Sequence, residues 1–425
     1  MRSVGEVPAA GRRGWLIVAG LFVILTTSSG LGFYNHSLYM RALALEQGLP
    51  LATLSGAISL FFVASGASGL IIARLIDRFD VRFTMVAGAC IGGAALALLG
   101  SVHTVPQLYL VYACFGIGYA ATSLVPSTTL VARWFTVNRS VALSIASTGL
   151  SVGGVAVTPL CALAIETFAM PAVMPWLGLL LVIVVVPVAL LTVRPWPAAA
   201  TAPLHAGAPR AVAAGTPLRD AVRSRFLRLM TAAYLLLMMS QVGGIAHQFT
   251  LGAERFGTAV AATAVSVLAG GSILGRLAGG VLVSRLPMRG FVLCNMLGQA
   301  VGLLLLASAA SPLSLWVASA CFGLTIGNLL MLQPLLIAEA YGLRDYGSIY
   351  ALSQAVTTAG VALGPTVVGL LHDGAGGYAV AFVTVAFASV CGAVLFVAAG
   401  AVPRPVREPV REPVRGLVRD PVRGE

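Results

Sequence analysis

Ala113-Cys114-Phe115-Gly116 recurs as Ala320-Cys321-Phe322-Gly323, a shift of 207 residues (320 minus 113). Earlier in the chain, Ala73-x-x-x-Asp77-Arg78-x-x-x-Arg82 returns as Gly280-x-x-x-Ser284-Arg285-x-x-x-Arg289, again 207 apart (280 minus 73). Two separate pairs in one register indicate a duplicated unit, each copy spanning nearly half the chain. In an apolar chain, parallel repeats point to a carrier whose halves rock about a shared central site.

The chain has that character. Its apolar fraction is 58% and its charged fraction 9%, where a soluble domain carries about 25% charged residues. Twelve apolar runs have the length of bilayer spans: 14–40, 51–76, 83–101, 106–131, 138–165, 172–193, 226–250, 258–283, 290–309, 312–338, 345–371 and 377–400. Backbone polar groups in lipid must be satisfied within the segment, so each run predicts a helix. The alternation of a membrane β-strand is absent. The fold expected is an all-α membrane protein with twelve transmembrane helices in two six-helix, pseudo-repeated bundles.

Boundaries follow from composition. Residues 1–13 form a short basic amino terminus, 14–193 the first bundle and 226–400 the second. Residues 194–225 are rich in Ala, Pro and Arg and read as a linker. Beyond 400 the chain turns into Arg-Glu-Pro-Val repeats to Glu425, which predict a disordered tail.

All 26 basic residues are arginine. With the amino terminus inside, 23 fall on one side of the membrane; Arg41 and Arg255 fall on the other, and Arg276 lies within a span. By the positive-inside rule both termini are cytoplasmic, as for a multi-pass protein of a bacterial inner membrane. The net charge of +12 is thus spread over short loops, which argues against nucleic-acid binding. The six cysteines all fall in spans without CxxC spacing and read as packing residues. No nucleophile–base set, metal cluster or phosphate loop stands out, so neither an enzyme nor a cofactor is expected.

Glycine ladders, Gly149/Gly153 and Gly271/Gly275/Gly279, predict tight helix crossings. A second reading gives them smooth faces that slide when the halves reorient.

The loop at Ala73–Arg82 resembles the signature loop of the major facilitator superfamily. In that family the acid caps a neighbouring helix and pairs with arginines, latching one conformation. The resemblance implies a latch of Asp77, Arg78, Arg82, Arg133 and Arg139; the second copy carries Ser284 in place of the acid. Val131 to Ala142 (Val-Ala-Arg-Trp-Phe-Thr-Val-Asn-Arg-Ser-Val-Ala), followed by Gly149-x-x-x-Gly153 and Pro159, is similar to monocarboxylate transporters and oxalate/formate-type antiporters. So are Tyr346-Gly347-Ser348-Ile349-Tyr350 and Asp373-Gly374-x-Gly376-Gly377-Tyr378.

Ionisable groups inside a membrane are costly and mark function. Arg276 sits in the eighth span, where the resemblance implies an arginine that holds the substrate carboxylate. Its guanidinium fork matches a carboxylate bidentately; the alternative is a place in the cytoplasmic charge latch. Ser272, one turn away, either orients that guanidinium or bonds its own helix. Tyr34 and His36 in the first span, Tyr119 in the fourth, Asn328 and Gln333 in the tenth and Gln354 in the eleventh are further candidate liners, each with an alternative as interhelical glue. His36 is also a candidate proton carrier, while His247 reads as structural. Asp77, Glu166, Glu254, Glu339 and Asp373 all fall at span ends.

The expected function is secondary transport of a small organic anion of the monocarboxylate type, by proton symport or exchange against a counter-anion, through a monomer in the bilayer. The rivals are an efflux carrier for apolar or neutral compounds and a non-transporting sensor or scaffold.

Overall fold

A computed structural model describes residues 11–135, 139–193, 215–282, 285–342 and 345–403. Residues 1–10, most of the expected linker (194–214) and the expected tail beyond 403 lie outside the described residues. So do the side chains of Asp77, Arg78, Arg133 and Arg139, and with them most of the expected latch.

The first half comprises α1 (Arg12–Ser28), a π-helical turn (Ser29–Tyr34), α2 (His36–Gln47), α3 (Leu51–Arg78), α4 (Val81–Leu98), α5 (Val105–Thr122), α6 (Leu124–Trp134), α7 (Arg139–Phe168) and α8 (Met170–Thr192). A short helix, α9 (Leu218–Arg223), falls within the expected linker. The second half comprises α10 (Arg225–Phe256), α11 (Thr258–Leu282), α12 (Met288–Ala307), α13 (Pro312–Tyr341), α14 (Tyr346–Ala375) and α15 (Tyr378–Ala399). Twelve spans in this set are long and apolar enough to cross a membrane. Their even number puts both ends of the helical region on one face of the bundle, called here the termini face; the opposite one is the far face.

The duplication is visible in the helix starts. Leu51 and Thr258 open α3 and α11, 207 residues apart (258 minus 51). The same difference separates α4 from α12, α5 from α13 and α7 from α14. The halves meet along two main seams, α3 against α14 and α7 against α11, with a smaller contact of α2 on α10. Under the repeat α3 corresponds to α11 and α7 to α14, so the two seams are the same pairing with the halves exchanged.

Two spans expected as single helices are interrupted. The first passes through the π turn at Ser29–Tyr34, where Gly30 lies against Gly153 and Gly32 against the Tyr119 ring. Without side chains at these two points, α7 and Tyr119 approach closely enough for the extra residue to be accommodated. The fourth breaks at Ser123 between α5 and α6.

Helix ends are capped by short polar side chains, as orphan N–H groups require. Thr104 and Gln107 form a reciprocal capping box on α5, and Ser311 with Ser314 does the same for α13. Asp80 caps α4 by accepting from the backbone N–H of Arg82 at 3.0 Å, and it also pairs with the Arg82 guanidinium at 2.5–2.8 Å. The described partner of Arg82 is therefore the acid just after the expected latch acid. Desolvation pushes the Asp80 carboxyl up, but the bonds from Arg82 outweigh it and hold it below the ordinary carboxylate value. This stabilisation is present above the ordinary carboxylate range and is lost as pH falls through the depressed value. Asp80→Ala is expected to cost about 0.5–2 kcal/mol, the usual loss of an N-cap, read as a lowered melting temperature of the purified protein.

The glycine ladders face helices of their own half. A Cβ on Gly149 or Gly153 would overlap α1 carbonyls, and one on Gly271 or Gly275 would press on α13 at Ala320 or Leu324. Tight crossing is their role. The reading as sliding faces fails because the ladders do not lie on the seams.

Candidate functional site

The α7–α11 seam carries a compact polar cluster. On α7, Ser147 and Ser151 are one turn apart; on α11, Ser272 and Arg276 are one turn apart. Residues four apart share a helix face, so the two antiparallel helices present matched pairs. Ser151 Oγ donates to Ser272 Oγ at 3.4 Å, and Arg276 Nη1 donates to the Ser147 carbonyl at 3.0 Å. The guanidinium thus bridges the two halves. Its stem lies over Gly327 of α13, where a Cβ would come within 3.0–3.1 Å of Arg276 Cβ and Nε.

The π turn delivers Tyr34 to the same place. Its hydroxyl interacts with those of Ser151 and Ser272 and feels the charge of Arg276. Tyr119 packs beside it against Gly32, with its ring 5.2 Å from Phe61. Ser272 is fully buried and Tyr34 nearly so, whereas Arg276 is half-buried. Among the described residues no carboxylate pairs with Arg276, and one backbone carbonyl satisfies only one of its five N–H donors. The group does not reach out to the Asp80–Arg82 pair at the termini face.

Of the residues expected to line a site, Arg276, Ser272, Tyr34 and Tyr119 are brought together; His36, Asn328, Gln333 and Gln354 are not. His36 lies beyond the π turn, 1% exposed, boxed by Phe61, Phe62, Tyr112 and Phe115 at ring separations of 4.3–5.9 Å. Neither imidazole nitrogen has a hydrogen-bond partner among the described residues. Asn328 donates to Asn295 at 3.0 Å, tying α13 to α12 inside the second half. Gln333 likewise donates to Ser353 and Thr357, both at 3.0 Å, and joins α13 to α14. Gln354 is on α14, one turn from Thr358, which meets Gly66 of α3; it lies on the other seam.

Sequence reasoning did not single out Ser147, Ser151 or Ser55. The two α7 serines interleave with the Gly149/Gly153 ladder, whose small residues dominate the pattern there. Ser55 of α3 meets His247 Nε2 at 3.0 Å, and His247 also reaches the Pro365 carbonyl at 3.0 Å and the Tyr378 hydroxyl at 3.1 Å. His247, expected to be structural, therefore ties the first half to α14 and α15.

Cross-half hydrogen bonds run from mid-bundle to the far face. Thr250 N–H donates to Ser37 Oγ at 3.1 Å, Ser59 meets Thr366 at 2.7 Å, and Ala52 N–H donates to Asp373 Oδ2 at 2.8 Å. Among the described residues, the Arg276–Ser147 bond is the one nearest the termini face. These bonds hold the two halves together toward the far face in this conformation.

Comparison with known proteins bears on the family and the fold. The family model described as Major Facilitator Superfamily matches residues 22–336 and again 259–423. MFS transporter asaE of Aspergillus flavus is 26% identical over 381 residues, 87% of this chain and 82% of that one. Monocarboxylate transporter 13 of Bos taurus is 26% identical over 408 residues, covering 93% of this chain and 90% of that protein. The solved nucleoside transporter NupG superposes with a TM-score of 0.73 at 15% identity, over 91% of this chain and 99% of that one, which is a likeness of fold. Repeated halves, twelve spans and the family match converge: the chain is a transporter belonging to the major facilitator superfamily.

Proposed function

We propose that this transporter carries a small organic anion of the monocarboxylate type, and that Arg276 is its counter-charge. The observation that carries the reading is the half-buried guanidinium at the seam with one backbone carbonyl as its described acceptor. A charge taken out of water costs several kcal/mol unless it is paired. A carboxylate bound bidentately would supply both the charge and the acceptors that the protein leaves out. The hydroxyls of Tyr34, Ser151 and Ser272 meet beside it, with the Tyr119 ring packed next to them, and would orient the anion.

The two seams support alternating access as the way cargo crosses. Both use the same helix pairing with the halves exchanged, so rocking one half against the other opens one face as it closes the other. Cargo that neutralises Arg276 lowers the cost of passing through the closed, dry intermediate. Anion exchange follows if the site crosses only when loaded; proton symport follows if a proton accompanies the anion. The arginine distribution supports an orientation with both termini in the cytoplasm of a bacterial inner membrane. The sequence and fold are read as those of a carrier acting as a single chain.

The test is transport by purified protein in proteoliposomes. Labelled acetate, lactate and pyruvate are offered with a panel of unlabelled competitors. Short monocarboxylates are expected to enter and to compete, and neutral lipophilic compounds to have no effect. Acceleration by an imposed proton gradient assigns symport, and acceleration by preloaded carboxylate assigns exchange. Competition by lipophilic compounds alone would overturn the anion reading in favour of neutral cargo.

A further inference from the structure

The far end of the α7–α11 seam is not filled. A cavity of about 580 Å³ lies there between α2, the last turns of α7, α10 and the start of α11. Both halves wall it: Arg41, Glu46 and Glu166 come from the first, Phe249 and Thr258 from the second. Among the described residues that line it, none belongs to the Arg276 cluster.

The charged groups in this cavity are largely unpaired. Arg41 of α2 is half-buried, yet among the described residues it makes no hydrogen bond or ion pair. It feels the charge of Glu254 on α10 without closing on it. Glu166 of α7 is exposed and makes no described hydrogen bond or ion pair either. Glu46 of α2 accepts from the Met170 N–H at 3.2 Å through Oε1, at the start of α8, which leaves its Oε2 without a described donor. The cavity thus presents one cation and two carboxylates, set among apolar side chains such as Leu38 and Ile165. A simple anion would meet Arg41 but be repelled by two acids, and a simple cation would meet the reverse. A zwitterion satisfies all three groups.

The rim points to the source of that zwitterion. Leu45 and Phe168 stand at the mouth, 72% and 68% exposed. About two turns deeper on the same side of α7, Leu160 is 67% exposed. An exposed leucine within a membrane span faces acyl chains. The cavity therefore lies at the end of the spans, at the depth of lipid headgroups, above a strip that acyl chains cover.

We propose that this cavity binds the headgroup of a zwitterionic phospholipid carrying a primary amine, taken from the leaflet at the far face. The Arg41 fork donates to two phosphate oxygens. The ammonium, with three N–H donors, bonds to the Glu166 carboxylate and to Glu46 Oε2. The acyl chains run down past Phe168 and Leu160. Because the walls come from both halves, the lipid binds the conformation in which the halves are drawn together at this end, and it favours that conformation by mass action. The lipid is thus a regulator of the carrier, independent of which cargo Arg276 holds.

Native mass spectrometry of the full-length protein reads occupancy directly. Phosphatidylethanolamine, phosphatidylglycerol and phosphatidylcholine with identical chains are offered in equal amounts. Phosphatidylethanolamine is expected to be retained about tenfold over phosphatidylglycerol, the worth of one charge-assisted hydrogen bond. A similar margin is expected over phosphatidylcholine, whose quaternary nitrogen has no N–H to give the acids. Arg41→Gln is expected to lower phosphatidylethanolamine retention about tenfold, and Glu166→Lys to reverse the order in favour of phosphatidylglycerol. Neither side chain has a described bond to lose, so both variants should melt like the parent in detergent without added lipid; this separates lost binding from lost folding. Equal retention of the three lipids by the parent overturns the proposal, as does an unchanged preference in Glu166→Lys. A parent preference for phosphatidylglycerol would make the occupant a simple anion and overturn it too. Equal displacement of phosphatidylethanolamine by soluble phosphoethanolamine would overturn the assignment to a lipid. Arg276→Gln is expected to keep the parent's lipid preference, so failure of the cargo site and failure of the lipid site are read separately.

Discussion

Arg276→Gln is expected to abolish carboxylate uptake in proteoliposomes while leaving expression, monodispersity and melting temperature close to those of the parent. Glutamine keeps an uncharged amide donor on the same stem but ends two bonds short of Nη1, so the 3.0 Å bond to the Ser147 carbonyl is given up, a loss of about 0.5–1.5 kcal/mol that is offset by no longer desolvating an unpaired charge. What it removes is the charge and the fork. Losing one partner of a buried pair costs about 3–5 kcal/mol, which is roughly two to three and a half orders of magnitude in affinity. Thermal-shift measurements give a second readout: carboxylates should stabilise the parent and leave the variant unmoved. Arg276→Lys is expected to recover a small part of the activity, because an ammonium supplies the charge without the bidentate geometry. Near-normal uptake by the glutamine variant would remove Arg276 from the site.

The parts of the molecule that could be read in advance share a physical reason. A bilayer forces every span to be a helix about 20 residues long, so the twelve apolar runs and the 207-residue register passed directly into helix starts. Arg276, Ser272 and Tyr34 could be picked out because polar groups are scarce in lipid-spanning segments. Residues Ser147 and Ser151 could not, since Ser147 contributes a backbone carbonyl that every residue possesses. His36 shows a different limit. One extra residue in the π turn rotates all that follows by about 100°, so spacing alone could not say that Tyr34 would reach the seam and His36 an aromatic box. The Asp373–Ala52 cap joins residues 321 apart in sequence. Nothing local marks such a pair; it is made by the closing of one half on the other. The latch expected at the opposite face falls on side chains outside the described residues, apart from Arg82.

The position of Arg276 depends on how closely α11 and α13 approach, and that approach is set by Gly275. A Cβ at Gly275 would overlap the Leu324 carbonyl of α13, a backbone atom that cannot turn aside as a side chain can. The same close contact lays Gly327 of α13 under the Arg276 stem, one residue further along α11. Gly275→Val is therefore expected to separate the two helices. Overpacking of a well-filled interior costs typically about 1–3 kcal/mol, and a clash with backbone belongs at or above the top of that range. The variant should show a marked loss of monodisperse protein, and in whatever folds, loss of carboxylate-dependent thermal stabilisation because the guanidinium no longer has its bed. Gly270, five residues earlier on the same helix, supplies the control: nothing lies within 4 Å of a Cβ placed there. Gly270→Ala should purify, melt and respond to carboxylates like the parent. If both variants behaved alike, the α11–α13 contact would not be what holds the arginine in place. The contrast between them is the physical content of the ladder: small residues matter where two backbones touch, and are replaceable about one and a half turns away.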